Sequence, residues 1–585
     1  MPGTRSTARG QAAQTVSAAF LMRILTTEEV RQAEREAINR PEMSSLVLAH
    51  RAGQAVNQFC LAHFNFRSVC VVCGSGNNGA VGLAAAENLR KIVAQTFVII
   101  LAKEIGELSA DATAMCSRLN LQRIWIADES DFDTEGVKEA LGADLIIDAI
   151  VGRGLKPPLI GLAVRAVEAI NDAFGTIVSV DVPSGVYADS KAAAHESGDD
   201  VVFAHGIITF IAPKPAHVFG ELTSGPIAVS EIGVQPALVP NSTGVGVITG
   251  QEVGITFPKR LPDVYESQFG HVLVIGGSLG TAGAAGLAGM AALRAGAGLV
   301  TVACPKSIQA TLAGVASELV TEGLKETVEG TIAMEASDKL ESLMAGKDVI
   351  VLGPGLSRNP ETTRLVRQLV ARCLQPLVLD SDGLNAFEGH YHELKRHGDA
   401  APFRILTLHP GEAARLTGNS TSDIQADRRE VARRLSSETG SCVVLKGWRT
   451  VVAGISGETW LNMTGNSALA KAGSGDALSG MIGAALARHV GSQLPMREGA
   501  SASEMDSQAA SAEEQHFQGN SDKASAFLKD MNVAAAVYLY GLAADIVRNI
   551  LHENTVLASD VVESLSEAFG ECDLQMDRGL FYLHK

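Results

Sequence analysis

The chain has 585 residues, with 48 Lys and Arg against 65 Asp and Glu, a net charge of −17. That balance excludes a protein whose affinity rests on coating nucleic-acid phosphates with basic side chains. The 59 glycines, an aromatic content of only 5% and scattered cysteines exclude a coiled coil and a disulfide scaffold, and fit an α/β chain with many tight strand-to-helix turns in a reducing cytoplasm.

Residues 1–23 hold Arg5, Arg9 and Arg23 among Ser, Thr, Ala and Gln, with no acid before Glu28, and read as a flexible tail rather than a targeting peptide. Order starts at Thr26-Thr27-Glu28-Glu29, where a hydroxyl three residues before a carboxylate gives the capping-box spacing of a helix that runs to Pro41. A second helix follows over 44–63. Apolar runs at 68–73, 96–101, 143–148, 176–180 and 206–211 then alternate with helical stretches. Strands that are apolar throughout are buried on both faces, so the first fold is α/β, a doubly wound, mostly parallel, Rossmann-like sheet over 24–238. Cys70 and Cys73 form a C-x-x-C inside the first run and read as buried strand residues rather than a metal or redox pair.

Pro, Gly and polar residues cluster across 233–244 and mark a boundary. A second doubly wound α/β block over 245–585 takes strands at 270–275, 348–352, 376–379, 405–408 and 442–445. The Ser/Ala/Glu/Gln-rich stretch 490–527 is too polar for a core and reads as a mobile insertion, after which a helix over 531–549 closes the domain. No run reaches the ~18 apolar residues of a membrane span. A cytoplasmic homo-oligomer that binds neither nucleic acid nor membrane is expected.

The first apolar run leads into Gly74-Ser75-Gly76-Asn77-Asn78-Gly79 and a helix from about Val81. This places G-x-G-x-x-G between a strand and a helix, where glycines let a pyrophosphate approach free N–H groups. Taken alone, the pattern also suits a plain tight turn. Asp148 and Val180-Asp181-Val182-Pro183-Ser184-Gly185 close two further strands at the same sheet edge. Asn78, Asp148 and Ser184 offer hard oxygens to a cation, and Asp181 is placed to exchange a proton with a substrate. An Asp at a strand end serves equally as the N-cap of the next helix.

Gly76-Asn77-Asn78-Gly79, Asp148-Ala149-Ile150-Val151-Gly152, Asp181-Val182-Pro183-Ser184-Gly185 and Ala212-Pro213-Lys214-Pro215 together resemble the NAD(P)HX epimerase family over about 24–234. The resemblance implies a potassium ion near Asn78, Asp148 and Ser184. It also implies a hydrated nicotinamide cofactor held by Gly76, Asn77, Asn78 and Gly79, by Gly152, Arg153, Gly154 and Leu155, and by Asp181 as a catalytic residue. The family continues Asn-Asn-Gly-Gly-Asp-Gly where this chain reads Asn77-Asn78-Gly79-Ala80-Val81-Gly82, so Val81 takes a carboxylate's place in the loop.

The second block carries Thr464-Gly465-Asn466 and then Ala472-Gly473-Ser474-Gly475-Asp476 ahead of an apolar helix. A Gly-Ser-Gly loop opening a helix presents several N–H groups to a phosphoryl group in transfer. Asp476, in the first turn, is placed to accept a proton from an attacking hydroxyl. No Walker Gly-x-x-x-x-Gly-Lys-Ser/Thr occurs. Gly353-Pro354-Gly355, Asp380-Ser381-Asp382, His409-Pro410-Gly411-Glu412 and Lys446 follow predicted strands and share one edge. Asp380 and Asp382, two apart, would face one way on a continued strand and suit Mg²⁺ beside a polyphosphate. Lys446 would neutralise phosphate charge, and His409 is equally a satisfied loop histidine.

Gly283-Ala284-Ala285, Gly353-Pro354-Gly355, His409-Pro410-Gly411-Glu412, Lys446-Gly447-Trp448-Arg449-Thr450 and Gly473-Ser474-Gly475-Asp476 resemble the ribokinase-like fold and, within it, the ADP-dependent NAD(P)HX dehydratases. The match covers about 265–547 outside the insertion. It implies that Ala284, Gly355, Asp382, His409 and Asp476 meet the hydrate. Lys446, Gly447, Trp448, Arg449, Thr450, Gly473, Ser474 and Gly475 would meet an adenine nucleotide, ADP rather than ATP, with Mg²⁺. The expected function is ADP-dependent dehydration of the S hydrate with release of AMP and phosphate, together with interconversion of the R and S hydrates. The alternatives are a ribokinase-like small-molecule kinase beside a non-catalytic nucleotide-binding module, and a Rossmann oxidoreductase. A kinase leaves a stable phosphorylated product where a dehydratase releases free phosphate.

Overall fold

The computed structural model describes residues 22–40, 42–155, 158–190, 200–234, 244–395, 401–492 and 521–584. They form two compact units, one of Leu21–Val247 with Leu574–Lys585, the other of Ile248–Asp573. Residues 1–21 of the expected tail and the middle of the expected insertion lie outside the described residues, whereas Met22–Arg23, expected as the end of the tail, form a short strand antiparallel to Gly246–Val247.

In the first unit β1 (Ser68–Cys73), β2 (Gln95–Ile100), β3 (Ile124–Trp125), β4 (Leu145–Ala149), β5 (Thr176–Val180), β6 (Gly206–Phe210) and β7 (Ile227–Ser230) pair in parallel in the order β7-β6-β5-β4-β1-β2-β3. The C-terminal strand Leu580–His584 adds antiparallel to β7. A domain running from 245 to 585 therefore gives up its last strand to the first unit, where Tyr582 Oη lies 2.7 Å from a ring nitrogen of His63. Cys70 and Cys73 are free and buried in β1, and burial pushes both thiols well up, which removes the thiolate that redox or metal chemistry needs.

Helix α1 (Thr27–Ile38) starts on the expected capping box: Thr26 N–H donates to Glu29 Oε2 at 2.7 Å and Glu29 N–H donates back to Thr26 Oγ1 at 3.4 Å. It ends before the Arg40-Pro41 pair, since the residue before a proline is pushed out of helical backbone. Helix α2 (Ser45–His63) packs on α3 (Asn77–Leu89), which begins at Asn77 rather than near Val81. The tight entry into α3 requires glycine: a methyl on Gly79 would stand 1.8 Å from Gly74 O.

In the second unit β8 (His271–Ile275), β9 (Leu299–Pro305), β10 (Val320–Leu324), β11 (Val349–Leu352), β12 (Leu377–Asp380), β13 (Arg404–Leu408) and β14 (Cys442–Leu445) run parallel in the order β14-β13-β12-β11-β8-β9-β10. The antiparallel β15 (Val451–Ala453) and β16 (Thr459–Leu461) extend it beyond β14. Helices α4 (Ala282–Arg294) and α6 (Ser474–Ser492) cross closely because small residues meet at the contact: a methyl on Gly480 would come within 2.0 Å of Ala288 O. Helix α7 (Ser521–Arg548) takes in the end of the expected insertion, and α6 takes in its start. Among the described residues, Ala524–Arg548 is long and apolar enough to cross a membrane, and it is instead buried inside the fold.

Candidate functional site

Each sheet reverses its strand order once, at β1/β4 and at β8/β11, and the crevice beyond the carboxyl ends of the strands at such a point is where open α/β folds take ligands. The sequence-derived residues gather at this carboxyl edge in each unit, the first set beside β1/β4 and the second from β11 across to β14.

The first unit has a pocket of about 810 Å³, lined by Glu34 of α1, by Gly76, Asn77, Asn78 and Val81 of the loop and α3, by Gly152, Arg153 and Gly154 after β4, and by Asp181 after β5. Gly79 and Leu155 are not in its wall. Gly79 closes the turn beneath it, and Leu155 is buried in an apolar cluster. Val81 is buried in the main core as well as reaching the pocket, so this wall is apolar where a carboxylate would have charged it.

Asp181 sits in left-handed backbone, φ 72°. Its Oδ1 accepts hydrogen bonds from Lys214 Nζ at 2.7 Å and Thr209 Oγ1 at 2.9 Å, and its Oδ2 accepts one from Arg153 N–H at 2.9 Å. Burial alone would raise its pKa, but the Lys214 ammonium and the Arg153 guanidinium outweigh it and hold the carboxyl well below the usual range. Lys214 is fully buried. Arg153 is itself clamped by both oxygens of Glu34 at 2.5 Å.

Asp148 and Ser184 are buried below the pocket. Ser184 Oγ and Ile150 N–H donate to Asp148 Oδ1 at 2.6 and 3.2 Å, and Ser179 Oγ and Ser184 N–H donate to its Oδ2 at 2.8 and 2.9 Å. All four donors are neutral, and burial raises the carboxyl's pKa. Among the described residues Asp148 forms no ion pair, and a buried carboxylate so placed, beside a hydroxyl and the Asn78 amide, fits a hard cation. Asn78 Nδ2 donates to Val180 O at 3.3 Å, leaving its carbonyl oxygen on the Gly152 side of the pocket. No group of three His, Cys, Asp or Glu side chains suited to a metal occurs among the described residues.

In the second unit Lys446, at the end of β14, lies with Nζ 2.9 Å from Asp380 Oδ1 and 3.8 Å from Glu412 Oε2. Burial disfavours its ammonium, and the two carboxylates reverse that and raise its pKa. Asp380 Oδ1 also accepts from Thr407 Oγ1 at 2.6 Å, whereas Asp380 Oδ2 is buried without a hydrogen-bond partner. That orphaned oxygen lies on the Gly475 side, at the N-terminus of α6, which fits a magnesium ion carried by a polyphosphate.

Asp382 does not share that face. Ser381 takes φ 48°, the strand stops at Asp380, and Asp382 turns to accept Ser357 N–H at 2.8 Å and Asn385 Nδ2 at 3.1 Å. It therefore braces the Gly353–Ser357 loop instead of pairing with Asp380 as a continued strand would require. In that loop Gly355, at φ 66°, has its carbonyl held by Ser278 Oγ and Thr281 Oγ1 at 2.9 and 2.8 Å, close against Ala284.

Asp476 is pushed up to about 7, first by burial and then by the Asp380, Asp382 and Glu412 carboxylates, against the pull of Lys446. His409 caps α5 (Pro410–Thr417): its Nδ1 accepts from Gly411 N–H at 3.1 Å, and its Nε2 approaches Glu412 Oε1 at 3.5 Å while half of the side chain stays exposed. Lys446 opens a tight loop in which Thr450 Oγ1 donates to Gly447 O at 3.1 Å, and the Arg449 guanidinium lies 3.8 Å over the exposed Trp448 ring. Asp545 of α7 holds the preceding loop, accepting from Gly465 N–H and Asn466 Nδ2 at 2.9 and 2.8 Å.

Lys214, Thr209, His217 and Glu34 are site residues that sequence reasoning did not assign. The Ala212-Pro213-Lys214-Pro215 segment was the available signal for Lys214, but no local pattern links it to Asp181, 33 residues away.

A family model described as NAD(P)H-hydrate dehydratase matches residues 272–529, and one described as YjeF-related protein N-terminus matches residues 45–216. A bifunctional NAD(P)H-hydrate repair enzyme of Moorella thermoacetica is 35% identical over 471 residues, covering 79% of this chain and 87% of its own. The Escherichia coli protein of the same description is 32% identical, covering 78% and 84%. Among solved structures, an ADP/ATP-dependent NAD(P)H-hydrate dehydratase from Bacillus subtilis, co-crystallised with ATP/Mg²⁺, has a TM-score of 0.43 at 25% identity, covering 57% of this chain and 100% of its own.

Proposed function

We infer that the two sites divide one repair process between them, because the chain belongs to the family of bifunctional NAD(P)H-hydrate repair enzymes. It is an enzyme that restores hydrated nicotinamide cofactors. The second unit is the dehydratase, and the first interconverts the R and S hydrates so that the whole pool reaches it.

The observation that carries the residue assignment is Asp476, a carboxyl held near neutrality at the first turn of α6 beside Lys446. Asp476 takes the proton of the C6 hydroxyl, the freed oxygen attacks the terminal phosphoryl of ADP, and AMP leaves. The N–H groups of Gly473, Ser474 and Gly475, with Lys446, stabilise the transferring charge. The phosphate ester is a better leaving group than hydroxide. The ring-nitrogen lone pair expels it, and loss of a C5 proton restores the dihydronicotinamide.

Ala284, Gly355, Asp382 and His409 hold the hydrate, and Gly447 to Thr450 hold the nucleotide, ADP in preference to ATP. Asp380, with its unpartnered oxygen, would hold Mg²⁺ arriving on the nucleotide, which supplies charge neutralisation there. In the first unit Asn78, Asp148 and Ser184 would hold K⁺. Asn77, Asn78, Gly152, Arg153 and Asp181 surround the hydrate. A cytoplasmic homo-oligomer belongs to the same reading.

The test mixes the purified chain with R and S NADHX, Mg²⁺ and either ADP or ATP, and follows reduced-nicotinamide absorbance together with phosphate release. Recovery of all the hydrate with one phosphate per NADH supports both sites. Recovery of the S fraction alone removes the epimerase, and a stable phosphorylated product in place of NADH would establish the kinase.

A further inference from the structure

Asp181 is unusual for a residue expected to exchange protons. Lys214 Nζ, fully buried, spends its three hydrogens on Asp181 Oδ1 at 2.7 Å, Thr209 Oγ1 at 2.6 Å and Phe210 O at 3.1 Å. His217, equally buried, accepts Lys214 N–H on Nδ1 at 3.0 Å, so its Nε2 carries the hydrogen and donates it to the Asp181 carbonyl at 2.7 Å. Burial and the nearby ammonium hold His217 down at about 4, which keeps it in that neutral tautomer. The bond from His217 grips the one residue of this turn whose side chain must tolerate φ 72°.

Among the described residues no relay leads a proton away. Oδ1 is saturated, His217 is committed to main chain at both nitrogens, and Arg153 is committed to Glu34. Oδ2, which accepts from Arg153 N–H, lies toward Gly152, itself part of the pocket wall. The ammonium sits behind the carboxylate, so the pair is a fixed dipole with its negative end toward the ligand.

We propose that Lys214 and His217 are positioning residues that fix Asp181 as a standing anion, whose task is to oppose positive charge developing on the substrate ring rather than to shuttle a proton. The proposal rests on the epimerase reading of the first unit and deepens it. Water protonates the departing C6 oxygen, and the C6–O bond breaks with its electron pair on that oxygen. The ring-nitrogen lone pair forms the C6=N bond, and the cation so made lies against Asp181. Addition of water to the opposite face of C6 returns the electron pair to nitrogen and a proton to solvent, inverting the centre.

The experiment uses the full chain and the variants Lys214→Met, Asp181→Asn and Asp181→Asn/Lys214→Met. Dehydration of S hydrate by the second unit and a melting curve monitor folding. Lys214→Met should lower kcat for R/S interconversion about tenfold while KM stays within about twofold. The double variant, freed of an unpaired buried ammonium, should melt near wild type yet remain as slow.

Equilibrium binding of NAD⁺, whose ring is cationic, and of NADH, whose ring is neutral, gives a readout that needs no turnover. Wild type should prefer NAD⁺ by about fivefold more than Asp181→Asn does. Wild-type interconversion in Lys214→Met or the double variant, or an NAD⁺ preference unchanged in Asp181→Asn, overturns the proposal. A wild-type chain that shows the preference but interconverts nothing would instead sink the epimerase reading and leave the standing anion in place.

Discussion

Lys446 Nζ stands 2.9 Å from Asp380 Oδ1, while Asp380 Oδ2 is left buried and unbonded on the side of Gly475. One cation thus serves a carboxylate that has room for more positive charge, at the helix end where phosphate would lie. Removing that cation as Lys446→Met leaves the carboxylate buried and unpaired. This costs about 3 kcal/mol of stability, measured by urea unfolding, and raises the KM for ADP.

Asp476→Asn should lower the dehydration kcat by about 10² to 10⁴ while calorimetry finds ADP binding intact. Turnover near wild type would remove Asp476 from the base role.

The same residue sets a pH dependence. Because the base works ionised, kcat/KM for dehydration should climb as pH rises toward about 7 and then level off, and Asp476→Asn should abolish that limb. The stability effect runs the other way. The folded pKa is raised above the unfolded one, so this carboxyl's contribution is full below about 4 and is lost as pH rises through about 7. Asp476→Asn should therefore melt higher than wild type at pH 8 by a wider margin than at pH 5.

Gly152→Ala probes the first pocket without touching charge. The added methyl would stand 2.9 Å from Asp181 Oδ2 and 3.0 Å from Asn78 Oδ1. Hydrate interconversion should drop at least tenfold, since small misplacements at a reacting centre are costly, and dehydration of pure S hydrate should be unchanged.

Ending the chain after Gly579 removes the strand that pairs with β7 and the Tyr582 hydroxyl beside His63. The first unit should melt several degrees lower and aggregate through its bare edge, while the second keeps its own transition.

The strands expected from apolar runs were legible to within a residue or two, as in Cys442–Leu445, whereas Ile227–Ser230 and Leu299–Pro305, buried too, were not singled out. The C-terminal strand was not, because nothing local in Leu580–His584 says that its partner lies some 350 residues earlier. The glycine loops and Asp476 could be read from sequence, since helix-opening turns are local. The Asp380 and Asp382 pairing failed on one residue, Ser381, whose φ of 48° ends the strand and sends the two carboxylates different ways. Lys214 escaped because its meaning is a contact made across the sheet edge, not a spacing.

The strand Leu580–His584 also orders events in time. A ribosome releases β1 to β7 early, but the partner that covers the β7 edge emerges only after all of the dehydratase unit has been made. Through that interval the nascent first sheet has an open side, and the second unit can fold ahead of the first one's completion. No single cut in the connecting segment separates the two activities cleanly, because it would leave the closing strand of one on the fragment bearing the other.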